Sequence, residues 1–169
     1  MKKAVFFDLD GTLLPLDMPL FIQLYYDAIE ACGVMRRIHP ERGNEIFGKA
    51  VYAMMAGDGS KTNADIFFGT VEQHSSLRRE EFLEIMDKFY NGEYRSIRQS
   101  ATADPRVPQI IATLKDKGYR LILATQPLFP PIATNQRVEW AGLSPADFEY
   151  ISCYDNSSFA KPNPSYFKE

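Results

Sequence analysis

The sequence predicts an α/β fold: a Rossmann-like parallel sheet with helices on both faces, interrupted after its first strand by an all-helical insertion. Three observations predict it. Ala4 to Phe7, Tyr119 to Ala124 and Phe148 to Cys153 are short apolar runs of strand length that each lead into a loop. The later two are separated by a stretch of helical length, which implies a crossover connection and parallel pairing. Between the first two runs, apolar residues recur at helical rather than strand spacing.

In chain order, Ala4-Val5-Phe6-Phe7 runs into Asp8-Leu9-Asp10-Gly11, the pattern of a strand buried on both faces that ends in a turn. From about Pro19 to Tyr94 the pattern is helical. Phe21, Leu24, Tyr25, Ala28 and Cys32 mark one helix that stops at Gly33, and Phe82, Ile85, Met86, Phe89 and Tyr90 mark another that stops at Gly92. Ile46 to Met55 and Ile66 to Val71 predict two more, separated by the loop Gly57-Asp58-Gly59-Ser60. After Ala103 come a helix over Val107 to Lys117 with Gly118 as its stop, a strand, a helix from Pro131 to Gly142, and a third strand. The expected division is therefore an α/β core of residues 1–15 and 104–169 and a helical unit of residues 16–103.

A chain of 169 residues, 45% of them hydrophobic, can bury a core without staples. Its two cysteines, Cys32 and Cys153, stand in no metal-like or redox-like spacing, as expected of reduced thiols in a cytoplasmic protein. Lys2 and Lys3 precede an apolar run that Asp8 cuts well short of a signal sequence, and no stretch has the length of a membrane span. A net charge of −3 with scattered basic pairs gives no basic field for nucleic acid. Neither a membrane nor a nucleic-acid partner is expected.

Asp8 and Asp10 lie two apart at the carboxyl end of the first strand, so extended geometry points both to one side, at the sheet edge where α/β proteins bind ligands. Two carboxylates there can hold a hard cation such as Mg²⁺, or divide nucleophilic and proton-transfer work. The same string also fits a plain Asp-Gly turn, or a metal-binding DxD of the glycosyltransferase kind. Thr125 ends the second strand at the same edge, where its hydroxyl and the N–H of Gln126 could hold phosphate oxygens; a Thr there is commonly only a cap. Lys161 follows the third strand in a loop stiffened by Pro162 and Pro164, although most loop lysines are simply solvated.

Taken in order, FFDLDGTLL at Phe6 to Leu14, LILAT at Leu121 to Thr125 and KPNP at Lys161 to Pro164 resemble the first three motifs of the haloacid dehalogenase (HAD)-like hydrolase superfamily. The helical stretch resembles the cap inserted in one large branch of it. The resemblance implies that Asp8 is the nucleophile and a metal ligand, and that Asp10 is the general acid/base and ligates the metal through its backbone carbonyl. Thr125, Gln126 and Lys161 become the phosphate grip, and the cofactor is Mg²⁺. An aspartate at position 10 favours phosphate over carbon–halogen chemistry, since members acting on the latter lack it. The expected activity is hydrolysis of a small phosphorylated metabolite through an aspartyl-phosphate. A phosphotransferase or sugar-phosphate mutase, and an impaired domain that only binds a ligand or partner, are the alternatives.

Two features depart from the family pattern. Pro127 has no N–H to offer a phosphate. An acidic motif expected after the Lys motif, on a further strand beside the first, does not occur before Glu169, and Asp155 precedes Lys161 and so stands in the wrong order. A chain ending at Glu169 is expected to leave Ala4 to Phe7 as an apolar edge and to self-associate through it, and a longer parent protein is the expected arrangement. The loop Gly57 to Lys61 and Asp17 are weaker candidates for facing the site; a plain helix–helix turn is the simpler expectation. His39 and His74 are expected at helix ends or on the surface.

Overall fold

The computed structural model describes residues 3–169; Met1 and Lys2, the start of the short basic stretch, lie outside the described residues. Three parallel strands, β1 (Ala4–Phe7), β2 (Arg120–Leu123) and β3 (Tyr150–Ile151), pair in the order β1-β2-β3. Ala4 is opposite Arg120, Phe6 opposite Ile122, and Ile122 opposite Tyr150. Alternation then assigns Val5, Phe7, Leu121, Leu123 and Ile151 to one face, and these pack into the main core. Residues of the other face, with Phe6, Ile122 and Tyr150, line an open depression bounded by Tyr166 and Phe167 of a 3-10 helix, Pro164–Lys168.

β1 is thus not buried on both faces as expected. Among the described residues it is hydrogen-bonded along one side only, and Phe6 is 62% exposed. The third strand is also shorter than predicted. The Asn156 side chain accepts from the Cys153 N–H at 2.8 Å and donates to the Ile151 carbonyl at 2.9 Å, so it takes over groups that would have continued the ladder.

Between β1 and β2 the chain is helical: α1 (Met18–Ala31), α2 (Val34–Ile38), α3 (Gly43–Met55), α4 (Asn63–His74), α5 (Arg79–Asn91) and a 3-10 helix, Glu93–Ser100. Then α6 (Arg106–Asp116) leads to β2, and α7 (Pro131–Trp140) leads toward β3. The α1 N-terminus is set by Asp17, whose carboxylate accepts from the Leu20 N–H at 3.1 Å, with Pro19 in the first turn. The α4 N-terminus is set by Thr62 in the same way, accepting from Asp65 at 3.1 Å. α2 and the 3-10 helix were not expected, because each is too short to show a period. Gly33, in the left-handed region at φ 69°, turns the chain from α1 directly into α2.

Several contacts fasten the helical block to the α/β part of the chain. Leu16 and Ala101 form an antiparallel bridge where the chain enters and leaves the block, flanked by Asp17 N–H to Ser100 O at 2.9 Å and Thr102 N–H to Pro15 O at 3.0 Å. On α5, the Tyr90 carbonyl accepts from Gln136 of α7 at 2.7 Å, and beyond it Tyr94 stacks on Trp140 at 5.4 Å. At the start of α4, Asn63 and Ala64 donate their N–H groups to Ser157 O and Tyr154 O at 2.8 and 2.9 Å. A network of edge-to-face rings, including Phe47–Phe67 and Phe68–Phe82, fills the interior of the block.

Candidate active site

The chain leaves β1 at Asp8, buries Leu9 completely, and turns at Gly11, whose φ of 80° only glycine adopts readily. Leu9 O accepts from both Thr12 and Leu14, which fixes the turn and leaves Asp8 and Asp10 flanking the buried leucine. The Lys161 ammonium lies 2.7 Å from Asp8 Oδ1 and also donates to Ala124 O at 2.9 Å. Residues 153 positions apart in the chain therefore form one ion pair at the carboxyl ends of β1 and β2.

Lys161 is positioned by the side chain of Gln126. Gln126 Oε1 accepts from the Lys161 N–H at 2.9 Å, and Gln126 Nε2 donates to the Lys161 carbonyl at 3.1 Å. Thr125 is fully buried; its carbonyl accepts from the Ser152 and Tyr166 hydroxyls, both at 2.8 Å. Its own hydroxyl oxygen is buried with no hydrogen-bond partner among the described residues. The five residues singled out from the sequence, Asp8, Asp10, Thr125, Gln126 and Lys161, therefore gather at one edge of the sheet. Asp17 and the 57–61 loop have other work. Asp17 caps α1, and Gly59, at φ 86°, lies so close to Phe159 that a Cβ there would fall 2.2 Å from its ring. His39 Nδ1 accepts from the backbone of Glu41 and Arg42 at 3.2 Å, and His74 ends α4.

Arg137 of α7 was not anticipated. Its side chain is 1% exposed, its Nη1 lies 3.6 Å from Asp10 Oδ2, and its guanidinium lies 4.3 Å from the centre of the Phe129 ring and 5.6 Å from that of Phe21. None of its three nitrogens has a hydrogen-bond partner among the described residues, and neither has Asp10 Oδ1. Burial works to lower the Arg137 pKa, but Tyr94 and then Asp10 outweigh it, and the net direction is upward. Burial pushes Tyr94 up to about 12 against the pull of Arg137, and it raises Tyr25 and Tyr90 as well, so these phenols stay neutral around the guanidinium. A sequence signal existed: Arg137 stands four residues from both Ala133 and Ala141, two fully buried residues on the face α7 turns inward. Asn63 was missed too. It is fully buried, and its Nδ2 donates to Pro127 O at 3.0 Å and, more weakly, toward Phe159 O at 3.4 Å.

A cavity of about 370 Å³ lies between the helical block and this edge. Asp10, Gln126 and Arg137 are its polar residues at the sheet, and rings such as Phe21, Tyr25 and Phe129 make the rest of its wall largely apolar. Its size is that of a small-molecule site.

Among the described residues, no three His, Cys, Asp or Glu side chains converge on one point. The donors at hand, Asp8 and Asp10, are oxygens only, and Asp10 Oδ1 is buried and unpaired. This set fits a hard divalent cation, which takes one or two carboxylates and keeps water or substrate oxygens for its remaining positions.

A family model described as haloacid dehalogenase-like hydrolase matches residues 2–169. The chain belongs to the haloacid dehalogenase-like hydrolases. Solved structures of HAD enzymes share its fold. A predicted phosphoglycolate phosphatase from Haemophilus somnus is 19% identical with a TM-score of 0.51, over 99% of this chain and 69% of that one. A HAD family enzyme from Bacteroides thetaiotaomicron is 17% identical with a TM-score of 0.50, over 99% and 75%. A hydrolase from Pseudomonas syringae is 16% identical with a TM-score of 0.51, over 99% and 68%. At these identities the likeness is one of fold. No curated protein matches the chain. HAD-like hydrolases generally use Mg²⁺, and no helix of the described residues is long and apolar enough to cross a membrane.

Proposed function

We propose that this HAD-like hydrolase cleaves a small phosphate monoester through a phosphorylated Asp8, with Mg²⁺ as cofactor. The observation that carries this reading is the Lys161 ammonium held at 2.7 Å from Asp8 Oδ1 by a side chain, Gln126, that clamps the lysine backbone on both sides. A carboxylate at the end of a strand, with a fixed cation against it and a cavity lined by its neighbours Asp10 and Gln126, suits attack on a phosphorus atom whose oxygens carry negative charge.

Asp8 would attack phosphorus as the ester P–O bond breaks, and Asp10 would give its proton to the departing oxygen. Asp10 would then take a proton from a water attacking the same phosphorus; inorganic phosphate leaves and the Asp8 carboxylate is restored. Lys161 and the Thr125 hydroxyl would hold the phosphoryl oxygens throughout. Asp8 through its carboxylate and Asp10 through its carbonyl would bind the Mg²⁺, which neutralises charge building on the phosphoryl group. The helical block, acting as a cap, would keep bulk water from the phosphorylated Asp8. The apolar cavity wall gives little for a sugar hydroxyl to bind, which supports hydrolysis over transfer to a sugar acceptor.

The test is hydrolysis of 4-nitrophenyl phosphate with and without Mg²⁺ by the wild type and Asp8→Asn. Metal-dependent release of nitrophenol that disappears in Asp8→Asn is the expected result. Turnover that survives Asp8→Asn would remove Asp8 as nucleophile.

A further inference from the structure

A buried guanidinium with idle donors is costly, and Arg137 is such a group. It carries five N–H donors in a planar fork, and none of them meets a hydrogen-bond acceptor among the described residues. Its carboxylate neighbour, Asp10 Oδ2 at 3.6 Å, is beyond hydrogen-bond range; Phe129 and Phe21 offer it ring faces, which satisfy the charge but no N–H, and the Tyr94 hydroxyl that pulls on the same guanidinium is itself buried with no hydrogen-bond partner among the described residues. Yet Arg137 lines the cavity beside Asp10, where the organic part of a substrate esterified at the phosphoryl position would extend. Apart from Gln126 and the tyrosine hydroxyls, the remaining wall is apolar.

We propose that Arg137 is a specificity residue: the substrate is a phosphate monoester whose organic part is an apolar, ring-sized body bearing a carboxylate, and this carboxylate docks on the Arg137 fork. The inference rests on the phosphatase reading and adds the chemistry of the leaving group. A planar carboxylate matches the guanidinium fork with two parallel hydrogen bonds, and inside an apolar wall such bonds lose little to water. The ring-sized body fills the space between Phe21, Tyr25 and Phe129.

The experiment compares phenyl phosphate with 4-carboxyphenyl phosphate, which differ only in the carboxylate. Wild type is expected to favour the carboxylated ester by about tenfold to a hundredfold in kcat/KM, mostly through KM, the range of a charged hydrogen bond. Arg137→Gln should erase the preference by raising KM for the carboxylated ester alone, and Arg137→Lys should keep part of it. Equal kcat/KM for the two esters in wild type would overturn the proposal. So would an equal fall in kcat for both esters in Arg137→Gln, since Arg137 would then serve the phosphoryl group. If neither ester is hydrolysed, the phosphatase reading fails, and the docking site is judged by titrating 4-carboxyphenyl phosphate against Trp140 fluorescence. Saturable binding lost in Arg137→Gln and partly kept in Arg137→Lys supports it, and no saturation in wild type overturns it.

Discussion

The contact between Arg137 and Asp10 invites a stability test in which magnitudes decide the sign. At 3.6 Å the pair attracts by about 4–5 kcal/mol at an effective dielectric near 20. The faces of Phe129 and Phe21 add about 1–3 kcal/mol together. Against this, taking the two ions out of water costs several kcal/mol each. The balance is near zero, so the pair should contribute almost nothing net to folding. Arg137→Met alone strands Asp10 and is expected to cost about 2–3 kcal/mol; Arg137→Met with Asp10→Asn removes both charges and should return to within about 1 kcal/mol of wild type, or above it. Trp140, the single tryptophan, is 6% exposed and stacked on Tyr94, and reports urea unfolding directly. With a slope of about 2 kcal/mol/M, the single variant should lose about 1 M in midpoint and the double variant should recover it. A double variant as unstable as the single one would show that the pair is a net stabiliser and refute the reasoning.

Gly59→Ala should lower Tm through both its left-handed backbone and the ring of Phe159, and adding Phe159→Ala should recover only the steric part; an unchanged Tm would refute the close packing of this loop. Asn63→Ala removes the bond to Pro127 O and should cost about 1–2 kcal/mol in urea unfolding, with faster amide exchange at Ala64; a neutral result would mean the α4 docking stands without it. Glu45, hydrogen-bonded by Arg42 and Lys49, and Asp104, hydrogen-bonded by Arg106, are each lowered to about 2. Their folded values lie below the ordinary ones, so their contribution is full above the ordinary carboxylate range and is lost as pH falls through about 2; Glu45→Gln with Asp104→Asn should therefore fall below wild type at pH 6 in urea midpoint, with the deficit shrinking as pH is lowered toward 2.

Much of the site was legible because its chemistry sits at strand ends. Asp8 and Thr125 come directly after apolar runs, Lys161 stands in the loop beyond the third, and three parallel strands bring the first two positions to one edge whatever lies between them in sequence. What could not be read was anything set by packing across the cavity. The Gln126 side chain fits the Lys161 peptide, a pairing that depends on where the 158–163 loop folds back. Asn63, next to the cap residue Thr62, resembles any polar residue in a helix's first turn; its burial comes from Pro127 and Phe159, which are distant in sequence. Arg137 resembles a solvated helical charge until its spacing from Ala133 and Ala141 is noticed. Phe6 is exposed because its face of the sheet opens onto the depression beside Tyr166 and Phe167, which no local pattern encodes.

The bridge between Leu16 and Ala101 also bears on the order in which the chain can fold. Pairing β1 with β2 joins segments separated by the whole helical block, the kind of distant closure that slows folding when attempted from an open chain. Helices α3 and α4 are neighbours in sequence and pack through Phe47 and Phe67. Once such local contacts have gathered the block, Leu16 and Ala101 stand side by side. The closure left to β1 and β2 then spans only the short arms from Phe7 to Leu16 and from Ala101 to Arg120, at a much smaller entropic cost. A block gathered first would thereby serve the pairing of β1 with β2 as well as walling the cavity.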